Sequence, residues 1–335
     1  MARELKRTVA IGPAKGRRLM VGFLAADLTP AMLTGDVTCH ALDIYHAHAI
    51  AKVHPGVKVV CTPHLPTGAW DEICFRTGPK LMSGELALDL LQEIHCLRRA
   101  GGDKTAFTLD YVGRESDRND LLAKIRDNPD RVRNFSATWP ASVPGLKPVM
   151  FTSTPGCFCH RRLDEGGLAL AEVASRELTA HPAGTALRVF DMGCGCGLVG
   201  LLMAKRLALP ETGVSLALTL VDSHTRAVEA AERNAAALGV AAEVVLADDG
   251  LDSHPEAASR KGTYDVFVGN PPYYSDYRIA DVFLATAKKA LKPGGVCYTV
   301  VRNAAGLRPV QERYFPEVEV IPRRGYAVLK SCQGQ

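Results

Sequence analysis

The sequence has no run of ~18 uncharged apolar residues, so nothing in it reads as a helix that crosses a bilayer. Behind the charged opening Met-Ala-Arg-Glu-Leu-Lys-Arg there is no apolar stretch of the kind a secretory leader needs. Cysteine pairs at metal-binding spacing are missing too. Ten cysteines are scattered along the chain. The close pairs, Cys157-Phe-Cys159 and Cys194-Gly-Cys196, have a single intervening residue, whereas zinc sites favour about two to four. No metal is expected, and the thiols read as reduced, small hydrophobes. Together these absences predict a cytoplasmic protein with no membrane partner.

A strong excess of one charge is lacking as well, since the net charge is +4. What surplus exists is uneven. Residues 1–150 hold 20 Lys+Arg against 16 Asp+Glu, and residues 151–335 hold 20 of each. Much of it sits in the opening stretch, with Arg3, Lys6, Arg7, Lys15, Arg17 and Arg18 against Glu4. Such an arm can meet phosphate, or be a solvated tail.

What is present is ordinary globular material: 335 residues, 47% hydrophobic and 23% charged, enough for two domains. The stretch NFSATWPASVPGLKPVM (134–150) carries three prolines and no clear period, and reads as a linker. The domain boundary is expected near residue 145, giving domains 1–145 and 146–335.

The second half alternates strand and helix signals. Strands are predicted over 186–190, 216–221, 242–246, 264–268 and 296–301. Helices are predicted over 198–207, 223–238 and 279–291, with Gly239 as a stop signal. A closing antiparallel pair is predicted over 318–322 and 326–330. This alternation predicts an α/β fold with a doubly wound, mostly parallel sheet. The first half repeats the pattern faintly. WDEICFRTGPKLMSGELALDLLQEIHCLRRAGG (70–102) matches YDVFVGNPPYYSDYRIADVFLATAKKALKPGG (264–295) with an offset of 194 at Asp71/Asp265 and 193 at Gly102/Gly295. An internal duplication follows, in which Arg76-Thr-Gly-Pro79 stands where Asn270-Pro-Pro-Tyr273 stands. The first copy also lacks a glycine-rich loop after its first strand.

Chemistry-bearing residues gather in the second half. In VFDMGCGCGLVG (189–200) a strand ends at Asp191, Gly193, Gly195 and Gly197 follow at alternate positions, and a helix starts. Glycines there permit positive φ and let a ligand approach the backbone. A dinucleotide fingerprint would need glycine where Leu198 stands. The spacing suits a ligand without a pyrophosphate, and S-adenosylmethionine fits. Asp222 ends the next strand, where an acid can accept from both hydroxyls of a ribose. Asp249 follows the third strand and could accept from an adenine amino group, with Asp248 the weaker candidate. The fourth strand delivers Asn270-Pro271-Pro272-Tyr273 to the same edge. An exocyclic amino group is a poor nucleophile, because its lone pair is delocalised into the ring. The Asn270 oxygen and the Pro271 carbonyl can take its two N–H bonds and aim that lone pair, and Tyr273 offers a stacking face.

These stretches, with FTSTPGCFCHRRLDEGG (151–167), DSHTRAVEAAERNAAALGV (222–240) and VEVIPRRGYAVLKS (318–331), resemble class I S-adenosylmethionine-dependent methyltransferases. The resemblance is closest to the RsmC/RlmG group of ribosomal RNA guanine-N2 methyltransferases, over about residues 150–331. It implies two Rossmann-like methyltransferase domains, the N-terminal one degenerate and available for RNA support. It also implies ribosomal RNA or a ribosomal subunit as partner, and a loop over 151–164, with Phe151, Phe158, Asp164 and Tyr274, closing on cofactor and substrate. The group usually has phenylalanine after the prolines. Tyr273 and Tyr274 match a pattern commoner in adenine-N6 and glutamine-side-chain methyltransferases. Those acceptors, and a catalytically silent RNA-binding or assembly factor, therefore stay open at the level of sequence.

Overall fold

The computed structural model describes residues 10–101, 104–126, 133–252, 256–272 and 277–334. The chain forms two compact units, Met1–Ser136 and Ala137–Gln335.

In the first unit the order is β1 (Arg18–Val21), β2 (Val37–Ala41), α1 (Ile44–Val53), β3 (Lys58–Cys61), β4 (Glu72–Thr77), α2 (Gly84–Ala100), β5 (Ala106–Tyr111) and α3 (Glu115–Arg126). The strands make one parallel sheet in the order β3-β2-β1-β4-β5. Apolar residues on both faces bury it. Leu19, Val21, Ile73 and Phe75 pack on one side, and Met20, Cys39 and Cys74 on the other. Helix α2 starts because the Ser83 hydroxyl accepts from Leu86 N–H, which satisfies an otherwise orphaned donor.

The second unit opens with β6 (Ala137–Ala141) and β7 (Val149–Ser153), followed by α4 (Glu165–Leu178), β8 (Ala186–Met192), α5 (Leu198–Leu207), β9 (Ser215–Asp222), α6 (Thr225–Leu238) and β10 (Ala242–Leu246). Then come α7 (Ala257–Arg260), β11 (Tyr264–Gly269), α8 (Arg278–Ala290), β12 (Leu291–Val301), α9 (Ala304–Glu312), β13 (Glu319–Arg323) and β14 (Tyr326–Cys332). The main sheet runs β10-β9-β8-β11-β12-β14-β13, parallel except at β14 and β13. This is the expected doubly wound sheet with its closing hairpin. Alternate residues of β8 and β11 serve opposite faces. Val189, Val266 and Val268 enter one core, and Phe190 and Phe267 the other, where their rings stack at 5.8 Å. Each such buried side chain contributes about 1.5–3 kcal/mol. Gly239, at φ 63°, ends α6 in the left-handed conformation that suits glycine.

Strand order in the first unit repeats the first five positions of the second. A local device repeats with it. Arg17 N–H donates to Asp71 Oδ2 at 2.8 Å, with its guanidinium 4.9 Å from the Trp70 ring. Arg188 N–H donates to Asp265 Oδ2 at 2.7 Å, with its guanidinium 4.9 Å from the Tyr264 ring. The aromatic-Asp pairs seen as a sequence repeat are thus the same fastening, made twice. Gly102 lies outside the described residues. At the opposite end of the first sheet, Arg76 occupies the position of Asn270. It is ion-paired with Asp110, which is fully buried, and with Asp27 at 3.0 Å.

Several expectations need correcting. Residues 134–150 are not a plain linker, because β6 and β7 pair antiparallel within the second unit. The strand tolerates Pro140 because a two-stranded ribbon leaves outer edges that need no donor. Phe151 lies in β7 with no exposed surface, in the core beside α6, and is not a loop residue. Arg18 is not part of a solvated arm, whereas Arg17 is exposed, with its guanidinium beside Asp36 and the Ala69 carbonyl. Arg18 is 2% exposed and bonds Glu72 and the carbonyls of Gly12, Pro13 and Met32. Arg3, Lys6 and Arg7 lie outside the described residues. Helix α8 ends at Ala290, just before the Lys-Pro-Gly-Gly segment as expected, but β12 begins at Leu291, so that segment opens the strand instead of preceding one that starts at 296.

Candidate active site

Strand order alone lines up the predicted residues. The neighbours β10, β9, β8 and β11 run parallel, so their carboxyl ends share one edge. Asp249 follows β10, Asp222 ends β9, the glycine turn follows β8, and Asn270 follows β11. Ligands of open α/β sheets bind at such an edge.

The glycine turn is a tight backbone arch. Gly193, Gly195 and Gly197 all have positive φ, at 67°, 57° and 83°. Each is glycine for its own reason. A Cβ at Gly193 would stand 2.7 Å from the Phe283 ring, and one at Gly197 would stand 2.8 Å from Leu201. At Gly195 a Cβ would meet nothing within 4 Å. There the left-handed backbone faces open space, which is what close approach of a ligand requires. Helix α5 then starts with no side-chain cap.

Asp191 supports this arch from beneath. It is 1% exposed, and its Oδ2 accepts from Gly200 N–H in the first turn of α5 at 2.9 Å. Burial pushes its carboxyl up to about 7, with the Gly200 bond opposing and Asp222 reinforcing the shift. Asp222 holds the arch from the side. Its Oδ2 accepts from Gly195 N–H and its Oδ1 from His224 N–H, each at 2.9 Å. A carboxylate has about four acceptor sites, so these bonds are compatible with the ribose role expected of it. Asp248 and Asp249 lie in the bend after β10, where Ala247 N–H bonds the Asp222 carbonyl at 3.0 Å.

Asn270 is half-buried, and its amide Nδ2 donates to Asp164 Oδ2 at 2.8 Å. Pro271 is buried and Pro272 half-buried. Tyr273 and Tyr274 lie outside the described residues. Asp164 is also the N-cap of α4, accepting from Gly166 N–H at 3.1 Å. Burial raises its carboxyl, against the bonds from Gly167, Asn270 and Gly166 that favour the charge.

Between β7 and Asp164 the chain is a series of turns, with Cys159 and Arg161 both in the left-handed region. Phe158 stands out from it, 66% exposed. Ser153 Oγ and His160 Nδ1 are 2.7 Å apart, Arg226 donates to the Pro155 carbonyl at 3.2 Å, and Cys157 Sγ contacts the Arg226 carbonyl at 3.3 Å. A Cβ at Gly156 would stand 2.7 Å from His224, so the segment packs beside the Asp222 end of the site.

Three residues that sequence reasoning missed hold this arrangement. Asn234 of α6 is 1% exposed. Its oxygen accepts from Thr152 N–H, and its NH2 donates to the carbonyls of Thr152 and Cys196, all at 2.9 Å. One buried amide thus ties β7 to the glycine turn. Phe283 of α8 packs against both Gly193 and Gly269, under the turn and the tip of β11. Glu172 of α4 is clamped by Arg323 and by Arg324, the latter at 2.6 Å. For Asn234 and Glu172 the only sequence signal was polarity inside apolar helical faces, and Phe283 gave none beyond its place on such a face. Burial also pushes the thiols of Cys157, Cys194 and Cys196 up, so they stay neutral beside the turn. Among the described residues, no cluster of three or more His, Cys, Asp or Glu could hold a metal ion.

Comparison with known proteins shows the family. Residues 148–330 match the methyltransferase small domain family. The chain is 29% identical over 192 residues to ribosomal RNA small subunit methyltransferase C of Stutzerimonas stutzeri, covering 56% of this chain and 52% of that protein. It is 33% identical over 218 residues to ribosomal RNA large subunit methyltransferase G of Pseudomonas putida, covering 63% and 53%. The chain thus spans about half the length of the curated relatives it matches. Among solved structures it resembles the T. thermophilus 16S rRNA N2 methyltransferase RsmC in complex with AdoMet and guanosine. That likeness has a TM-score of 0.72 at 17% identity and covers 97% of this chain and 90% of that one.

Proposed function

This chain belongs to the methyltransferase small domain family, and on that premise we propose that it methylates an exocyclic amino group of a base, guanine N2 in ribosomal RNA. The methyl donor in this reading is S-adenosylmethionine, which supplies a methyl group already activated by a sulfonium. The observation that carries the proposal is the position of Asn270, at the tip of β11, one strand over from a glycine arch that faces open space. The names of the curated relatives support ribosomal RNA as substrate, and AdoMet with guanosine in the RsmC complex supports donor and base.

Each residue then has a task. Gly195 lets the donor approach the backbone, Asp222 receives its ribose, and Asp249 stands where its base would lie. Asp191 keeps the arch in shape. Asn270 Oδ1 and the Pro271 carbonyl accept the two N–H bonds of the target amine, which aims the nitrogen lone pair. Proline fixes that carbonyl, so little reorganisation is needed during transfer. Tyr273 and Tyr274 are assigned the stacking face for the base. Alignment is the main requirement, and the surplus proton leaves after transfer. The target base must be unstacked to reach the edge of the sheet. Phe158 and the turns around it are assigned to its closure.

The first unit, with Arg76 salt-bridged in place of the asparagine, is read as the degenerate domain, holding RNA by shape and phosphate contacts. Among the described residues no helix is long and apolar enough to cross a membrane. The proposed setting is the cytoplasm, where ribosomal subunits are assembled.

The test is methyl transfer from tritiated S-adenosylmethionine to ribosomal RNA, to assembled subunits and to a protein fraction, followed by mass mapping of the labelled product. Label on guanine N2 is expected. Label confined to adenine or to glutamine side chains would reassign the acceptor. Donor binding without label in any fraction would refute the enzyme reading.

A further inference from the structure

An asparagine side chain has two ends of nearly equal shape and opposite chemistry. Turned one way, Asn270 offers an acceptor to the target amine. Turned the other way it offers N–H to N–H, and the amine is repelled. Nothing in the motif itself decides between them. We propose that Asp164 decides, as the positioning residue that holds the NH2 end of Asn270 and so presents its oxygen to the amine. The inference rests on the amino-group reading above and adds to it the residue that orients the acceptor.

The chemistry is one-sided. An ionised carboxylate only accepts hydrogen bonds, so the group 2.8 Å from Asp164 Oδ2 must be the amide nitrogen. Reversing the amide would lose a charge-assisted bond and set oxygen against oxygen, which biases the orientation by about 10- to 100-fold.

Asp164 is itself fixed. Its other oxygen caps α4 through Gly166 N–H. Two glycines at the start of a helix are poor helix formers, and here they have a steric reason. A Cβ at Gly167 would stand 2.6 Å from Asp164 Oδ2, and one at Gly166 would stand 3.2 Å from the Tyr326 ring and 3.3 Å from Oδ1. Gly167 therefore makes room for the carboxylate over the helix start, where the helix dipole favours its charge, and Gly166 makes room for it and for Tyr326. Helix α4 is anchored in turn by Glu172 to Arg323 and Arg324.

The test is Asp164→Asn. Asparagine caps helices as well as aspartate does, so the fold should hold. The new amide, with its oxygen kept on Gly166, turns its NH2 toward Asn270 and reverses it. We expect kcat to fall about 100-fold, with KM for RNA and the donor Kd each within about 3-fold of wild type. The reciprocal pair D164N/N270D restores a donor facing an acceptor, and should regain at least ~10-fold over D164N alone. A second measurement needs no turnover. With asparagine selectively labelled with nitrogen-15, the Asn270 NH2 signal is identified by its loss in N270A. It should exchange slowly with water in wild type and lose that protection in D164N. Unchanged kcat in D164N, or an Asn270 signal that D164N does not move, overturns the inference. Protection lost in D164N while wild type methylates no amino group upholds the orientation and counts against the amino-group reading alone.

Discussion

Replacing Asp191 with asparagine tests whether the acid under the glycine arch is held at a cost. In the folded chain its carboxyl is pushed from 3.8 up to about 7, mainly by burial. The native state therefore binds that proton more tightly than the unfolded chain does. Stability from this group is fully present below its unfolded value, and is lost as pH rises through about 7. A shift of that size corresponds to something on the order of 4 kcal/mol between the two ends of the window. Asparagine keeps an oxygen for Gly200 N–H and carries no charge, so it removes the pH dependence and keeps the bond. The chain has two tryptophans. Trp139 lies in the second unit and Trp70 in the first, so a Trp70→Phe background lets Trp139 report the second unit alone. Urea unfolding of both proteins without donor, at about pH 5 and about pH 8.5, gives the difference in stability at each end. Groups common to the two proteins cancel in that difference. Asp191→Asn should gain about 2–3 kcal/mol relative to wild type on going to the alkaline end, because only the part of the window above about pH 5 is read. A difference that stays constant with pH would refute the reasoning, and so would an asparagine variant less stable at about pH 8.5 than at about pH 5, relative to wild type.

Asn270→Ala should lower kcat by about 100- to 1,000-fold while leaving the donor Kd within about 3-fold, read by calorimetry beside single-turnover assays. Asp222→Ala should do the reverse, raising the donor Kd by about 10- to 100-fold through its lost charge-assisted bonds. Gly195→Ala puts a methyl group at a φ of 57° into the open space before the arch. Its backbone cost is about 1–2 kcal/mol, and donor affinity should fall with the fold retained on a circular dichroism melt. Asn234→Ala leaves the buried Thr152 and Cys196 groups unpaired, and should cost about 2–4 kcal/mol in urea unfolding, with weaker donor binding.

The elements that sequence reasoning located share a physical cause. Strands β8 to β11 are apolar runs broken by aspartate, glycine or proline at the tip. Helix α5 matches its predicted bounds, 198–207, because a glycine turn starts it and its apolar face is continuous. Once those strands are ordered, the row of Asp249, Asp222, the arch and Asn270 follows. Long-range contacts were not legible in the same way. The bond from Asn270 to Asp164 spans 106 residues and belongs to no local period. Asn234 drew no reading from the sequence, because its three partners are backbone groups that no sequence pattern shows. Prolines hid β6, since a ribbon strand with free outer edges escapes the rule that removes proline from sheets. The positive charge of Arg18 read as surface, whereas Glu72 neutralises it in the interior and three carbonyls accept its remaining N–H groups.

The paired Arg17–Trp70–Asp71 and Arg188–Tyr264–Asp265 fastenings have one further consequence. Both sit where the strands begin, and the proposed chemistry sits where strands end. Along each sheet, cohesion and reactivity are thus housed at opposite poles. Substitutions at the reactive pole can accumulate without loosening the other, which is how one half of a duplicated chain could shed its chemistry and still stand as a folded body.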